Sequence, residues 1–317
     1  MDATCADDIA LVCANPYDLQ IHVNQAVNYS DTHRYKLQPQ ESVIIEINNT
    51  KRNHRDRQPP IKINQNNMPV VEKSAHLGKL RSKSKEKTEA THIEQNITKA
   101  RRTAYNLLSA GFHGVNGLDP MTSLSLYKTY IQPVLTYGLE IVQPKQSNLV
   151  KLELFQKTIL KQILSLPINT PDPTAYILSG LLPVEAIIDI KCMTLFNNIC
   201  RQPDKAIEKQ LAMRQLLNKS TDSRSWFINI KKILLKYEFS NINELLTHPI
   251  RKSIWKSSVQ RAIENFWTEK IRETATWYPS LEHLNSKLYT PKLPHPIIDI
   301  SKDLSPSKAA MSIGVKL

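Results

Sequence analysis

Residues 4–12 read Thr4-Cys5-Ala6-Asp7-Asp8-Ile9-Ala10-Leu11-Val12, two short apolar runs joined through adjacent aspartates. The pattern predicts a strand pair over residues 1–13 closed by a tight acidic turn. Asp7 and Asp8 repel one another, and both are poor strand residues. Holding them together between strands costs stability unless something compensates. A divalent cation does so, and magnesium prefers carboxylate oxygens together with substrate phosphates. The plainer alternative is a solvated hairpin turn, since Asp favours turns.

Working outward, Pro16 is placed as the first residue of a helix whose apolar face carries Leu19, Val23, Ala26 and Val27. Ser42 to Ile47 is β-branched and predicts a strand, the polar stretch 48–58 a loop, and Ile61 with Ile63 a second short strand. That basic loop contains Lys51, Arg52, His54, Arg55 and Arg57. Two or three strand pairs and one helix leave a sheet edge open, so the expectation is that further polypeptide upstream completes this α/β piece.

Past Leu80 the period becomes helical. Ile93, Ile97, Ala100, Ala104, Leu107 and Leu108 share one face, and Gly111, Gly114 and Gly117 close that helix. Asp119-Pro120 is a helix start, Asp capping and Pro at the first position. Pro133 predicts a kink or interruption. Ser147 is expected to cap the next helix and Pro183 to open another, with further helices over 204–217, 224–237 and 249–277. The prolines after Pro279 predict a loosely ordered tail. Trp226, Trp255, Trp267 and Trp277 are expected to pack in the helical core.

Composition agrees with a helix-rich protein. The 317 residues include seven glycines and nineteen prolines, and 41% are hydrophobic. A formal charge of +13 points to nucleic acid or another anionic surface. No apolar run is long enough to span a membrane, and the first residues lack the basic region of a secretory signal. The four cysteines form no Cys-x-x-Cys pair, which disfavours a structural zinc site and makes a reduced intracellular protein the default. His92, His113, His248, His283 and His295 are scattered without metal-like spacing. Phosphate-loop and nucleophile-elbow motifs are absent, and no small-molecule cofactor is expected.

Several segments in order resemble the reverse transcriptases of non-LTR, LINE-like retrotransposons. Cys5 to Val12 resembles their Ala-Asp-Asp box and following strand. Lys36-Leu37-Gln38-Pro39-Gln40-Glu41-Ser42-Val43-Ile44 resembles the next segment, and His76-Leu77-Gly78 the primer-grip hairpin. Thr136-Tyr137-Gly138-Leu139-Glu140 is similar to a signature of the helical thumb region. The resemblance implies an α+β fold: a partial polymerase palm over 1–80, then a mainly α-helical thumb-like region over 81–145. A helical C-terminal extension over 146–278 and a proline-containing tail over 279–317 would follow.

The same resemblance implies an RNA-directed DNA polymerase working by two-metal nucleotidyl transfer, with Mg2+ as cofactor and an RNA template and DNA primer as partners. Asp7 and Asp8 would be catalytic metal ligands. His76, Leu77 and Gly78 would form the primer grip. Lys79, Arg81, Lys83, Lys85, Lys99, Arg101 and Arg102 would contact the nucleic-acid backbone.

The sequence departs from that pattern in three places. Cys5 replaces an aromatic residue, and Glu41 stands where a lysine is common. The family's other metal-binding aspartate lies on an upstream strand that these residues do not include. The expectation is therefore a C-terminal fragment without polymerase activity of its own. The reading from a different class is a non-catalytic helical nucleic-acid-binding protein.

Overall fold

The structure, a computed structural model, describes residues 2–5, 8–47, 59–110, 118–239, 241–282, 284 and 286–300. The fold is mainly helical with short antiparallel strand pairs. It divides into two compact units, residues 1–92 and 93–317. The division falls inside the helix Lys85–Ser109 (α2), twelve residues beyond the boundary expected near residue 80.

In the first unit, β1 (Asp2–Cys5) pairs antiparallel with β2 (Asp8–Leu11), and Cys5 sits opposite Asp8. Helix α1 (Pro16–Thr32) begins as expected with Pro at its first turn. Asn15 is the cap, its Oδ1 accepting from the Asp18 amide at 2.8 Å. β3 (Lys62–Ile63) and β4 (Asn66–Asn67) form a second small hairpin. Gln20 of α1 stitches that hairpin down. Its amide donates to the Lys62 carbonyl (2.9 Å) and accepts from the Lys62 N–H (2.8 Å), as a neighbouring strand would. A third hairpin joins β5 (Lys73–His76) and β6 (Lys79–Ser82). The core of this unit is small: Val23, Ile61 and Ile63 are buried, with Leu11, Leu19, Val27, Ile44 and Met68 packed against them.

The expected strand over Ser42–Ile47 is reduced to one parallel bridge, Ile44 to Val70. The Ile44 N–H donates to the Pro69 carbonyl and its own carbonyl accepts from Val71. Pro69 has no N–H to give back, so the ladder goes no further on that side. The basic loop 48–58 lies outside the described residues.

The second unit is built from helices around one large apolar cluster. α3 (Pro120–Leu126) starts as predicted, Asp119 Oδ1 accepting from the Thr122 N–H at 3.0 Å. The interruption expected at Pro133 takes the form of a π turn, Tyr127–Ile131, between α3 and α4 (Gln132–Leu135). A proline ring crowds the carbonyl four residues back, and a widened turn relieves that crowding. α5 (Leu139–Val142) follows, then α6 (Gln146–Ile163). Ser147 is not its cap. Lys145 occupies that position without a side-chain capping bond, and Pro144 before it stops the backbone from entering the helix earlier.

α8 (Val184–Cys200) is central, opening at Pro183 as expected and packing against α5, α6 and four later helices: α9 (Ile207–Asn218), α10 (Trp226–Lys236), α11 (Ile242–Thr247) and α12 (Lys252–Thr276). Two short helices were not expected, although each opens on a start signal: α7 (Asp172–Ser179) on Asp172-Pro173 and α11 on Asn241, whose Oδ1 accepts from the Asn243 N–H. Trp255 and Trp267 are buried and Trp226 packs on the core, whereas Trp277 is 69% exposed.

Residues 279–300 correct the expectation of a loose tail. Leu281, Leu284, Tyr289 and Ile298 are buried in the same core, and α13 (Pro296–Ile300) is the last described element. The segment is seated on the end of α7. The Lys292 N–H donates to the Gly180 carbonyl (2.7 Å), the His295 N–H to the Leu178 carbonyl (2.9 Å) and the Tyr289 hydroxyl to the Leu181 carbonyl (3.1 Å). Gly180 has φ +64°, and a Cβ there would lie 2.1 Å from the Leu293 carbonyl oxygen, so only glycine fits.

Candidate nucleic-acid interface

The acidic hairpin comes first. With Cys5 opposite Asp8, the connection between β1 and β2 consists of residues 6 and 7, and Asp8 opens the second strand. Asp7 and the Asp8 side chain lie outside the described residues. The strand is anchored through Leu11, which packs on the Val23–Ile61–Ile63 cluster. Adjacent aspartates in the sequence carry hard oxygen donors, the type magnesium takes. Among the described residues no group of three or more His, Cys, Asp or Glu side chains is arranged to hold a metal.

The β5–β6 hairpin contains the second predicted set. His76 and Lys79 are cross-strand partners, so Leu77 and Gly78 alone make the turn. Both have positive φ, +50° and +70°. That is the requirement of a type I′ hairpin turn, which matches the twist of the flanking strands. Gly78 meets it without penalty. Leu77 does not, since a γ-branched side chain in this region is strained, yet it sits at the tip 42% exposed. His76 and Lys79 are half-buried at the strand ends, and Arg81 is exposed. Lys83 pairs with Glu72 at 3.6 Å, an exposed contact of little energetic weight. The Lys85 side chain lies outside the description.

On α2, within the second unit, Lys99, Arg101 and Arg102 are all exposed, while Ile93, Ala100 and Ala104 face the core. The sequence has no Asp or Glu between Glu94 and Asp119, so the cations on this stretch are not offset along their own helix. Asn96, buried on the opposite side, ties α2 to the turn after α4.

That turn is Thr136 to Glu140. Gly138 has φ +69°, Thr136 and Leu139 are buried and Tyr137 is exposed. Its backbone is held from three helices. Asn96 donates to the Leu135 and Tyr137 carbonyls, and the Lys191 ammonium to the Thr136 carbonyl (3.1 Å) and Oγ1 (2.7 Å). The Trp226 Nε1–H donates to the Glu140 carbonyl (2.8 Å). Burial pushes the Lys191 pKa down, against the Glu140 carboxylate beside it. The motif that marks resemblance in the sequence is thus a structural junction.

Two buried polar clusters were not visible in the sequence. In one, the Trp267 Nε1–H donates to the Tyr237 hydroxyl (3.0 Å), which donates to Asp189 Oδ2 (2.7 Å), while Lys236 bridges Asp189 (2.9 Å) and Glu185 (2.6 Å). Burial raises the Asp189 pKa despite Lys236 and Tyr237. In the other, Glu153 accepts from the Tyr176 hydroxyl and from the Glu185 N–H (3.0 Å). Burial raises its pKa too, and Lys157 only partly opposes this. Each cluster draws its partners from different helices, which is why spacing in the sequence does not reveal them. These networks join helices through buried and half-buried groups. The buried thiols are passive: burial pushes Cys200 up to about 12, and Cys192 is raised for the same reason.

Of the predicted residues whose side chains are described, His76, Leu77, Gly78, Lys79, Arg81 and Lys83 belong to the β5–β6 hairpin and its exit in the first unit, and Lys99, Arg101 and Arg102 to α2 in the second. Among the described residues, no helix is long and apolar enough to cross a membrane. No family model matches this protein, no curated protein matches it, and no solved structure matches its fold.

Proposed function

We propose that this protein is a reverse-transcriptase-like nucleic-acid-binding protein of the non-LTR type, which presents Asp7 and Asp8 as metal ligands and grips nucleic acid through its basic surfaces. The observation that best supports the reading is the pair of hairpins. The register of β1 and β2 leaves Ala6 and Asp7 as the connection with Asp8 next to it, and β5–β6 turns on Leu77-Gly78, the residues matched to a primer grip. Magnesium bound by the two carboxylates would activate a 3′ hydroxyl and stabilise the leaving pyrophosphate. Asp7 and Asp8 would hold the ion, and the strained Leu77 tip would pack beside a primer end. Phosphates would be met by Lys79, Arg81, Lys83 and Lys85, and by Lys99, Arg101 and Arg102.

A second reading, a helical nucleic-acid-binding protein without catalysis, is favoured by the acid-free basic stretch of α2 and the size of the helical core. Purified protein with an RNA–DNA primer–template tests both. The first reading predicts salt-sensitive, sequence-indifferent binding that magnesium strengthens and Asp7→Asn with Asp8→Asn makes magnesium-independent. Binding indifferent to magnesium in both proteins favours the second.

A further inference from the structure

α2 presents an aromatic side chain between two arginines, which neither hairpin accounts for. Taking 100° per residue, Arg101, Arg102 and Tyr105 fall within one exposed sector of the helix, with Thr98 beneath them and Asn106 at its edge. Tyr105 stands three and four residues after the arginines, the spacing at which side chains on a helix are neighbours. It is 51% exposed. The opposite face is fixed: Ala100 and Ala104 are fully buried, and Asn96 bonds the helix to two carbonyls of the turn after α4. The nearest carboxylate on the same face, Glu94, is seven residues from Arg101, about 10 Å along the axis.

An exposed ring held on a rigid helix and flanked by guanidinium groups fits a ligand with both a flat apolar face and negative charge. A nucleobase attached to its phosphates has both. In a duplex the base faces are already stacked on one another, so a tyrosine gains contact only where bases are unpaired. We propose that Arg101, Arg102 and Tyr105 form a binding site for single-stranded nucleic acid, in which Tyr105 stacks on an unpaired base and the two guanidinium groups hold the adjoining phosphates. The inference rests on the nucleic-acid reading above and adds to it the class of strand and the residue that distinguishes it.

The test uses the full-length protein, a short single strand bearing 2-aminopurine, and a hairpin duplex of the same composition. Stacking on Tyr105 quenches the 2-aminopurine fluorescence. Tyr105→Ala is expected to weaken single-strand binding by about five- to 150-fold, the span of one lost base stack at ~1–3 kcal/mol. The quench disappears, duplex binding is unchanged, and Tyr105→Trp retains both affinity and quench. Circular dichroism of each variant should match the parent, since the residue lies on the surface. The site is overturned if Tyr105→Ala binds the single strand as tightly as the parent, or loses single strand and duplex equally. It is also overturned if polyglutamate competes as well as the single strand does, because charge alone would then decide. Failure of the parent protein to bind any nucleic acid at low salt removes the functional reading as well, whereas failure of the Tyr105 contrast alone leaves that reading standing.

Discussion

The Asn96 amide donates both of its hydrogens to backbone carbonyls of one turn, Leu135 at 3.1 Å and Tyr137 at 2.8 Å. Asn96 is buried, its bond to the Leu135 carbonyl is buried and its bond to the Tyr137 carbonyl part-buried, so water replaces at least the first of these donors poorly. Asn96→Ala leaves both acceptors without that donor and should cost about 2–3 kcal/mol of stability. Urea unfolding followed by tryptophan fluorescence measures it. A change below about 0.5 kcal/mol would mean that the turn is held by Lys191 and Trp226 alone.

Gly180 sets the seat of residues 286–298. A methyl group there meets the Leu293 carbonyl carbon as well as its oxygen, both backbone atoms that no rotamer change can move aside. Gly180→Ala should displace the segment, expose Tyr289 and make the residues after α12 a preferred site of proteolytic cleavage, while α8 and α12 stay folded. Limited proteolysis with mass spectrometry decides. An unchanged cleavage pattern contradicts the close approach.

Two acidic groups should give opposite pH dependences. Burial raises the Glu153 pKa above its ordinary 4.5. A raised folded-state value means that its contribution is fully present below the unfolded pKa and is lost as pH rises through the folded one. Asp172 is half-buried, which pulls its pKa up. Its bonds to Lys157 (2.6 Å) and Lys161 (3.0 Å) outweigh this and leave it below 3.8. Its contribution is present above that value and lost as pH falls. Glu153→Gln should therefore flatten the decline in stability on the neutral side of the carboxylate range, and Asp172→Asn should remove stability at neutral pH but little in acid. Urea midpoints across that range test the pair, and parallel curves for the two variants would contradict the assignment.

The basic stretch of α2 should act through phosphate contacts. Arg102→Gln is expected to reduce the slope of log affinity against log salt by about 1 for the primer–template, with no change in sequence preference. A slope identical to the parent's would remove Arg102 from the interface.

Much of the architecture was legible because it rests on local signals. Pro16 and Asp119-Pro120 announce helix starts by their own chemistry, whereas the hairpin at Leu77-Gly78 was expected only from the resemblance of His76-Leu77-Gly78 to a known motif. The Ser42–Ile47 strand failed because β-branched residues need a partner with donors, and Pro69 supplies none. Pro-rich composition after Pro279 suggested a loose tail, yet Tyr289 and Ile298 find a core contributed by helices far away in sequence. Of the candidate residues, the exposed cations were readable from their run. The role of Asn96 was not, although a lone polar residue between Ile93 and Ala100 on an apolar face is the trace it leaves.

The proposed function stands or falls on Asp7 and Asp8 acting as a metal-binding pair at the closed end of the β1–β2 hairpin. Manganese, a paramagnetic substitute for magnesium, broadens the NMR signals of amides close to it. Titrating it into labelled protein should broaden residues 5–10 first, and Asp7→Asn with Asp8→Asn should abolish the effect while the hairpin's other signals stay in place. Broadening that begins elsewhere, or that survives the double substitution, would rule the pair out as the metal site.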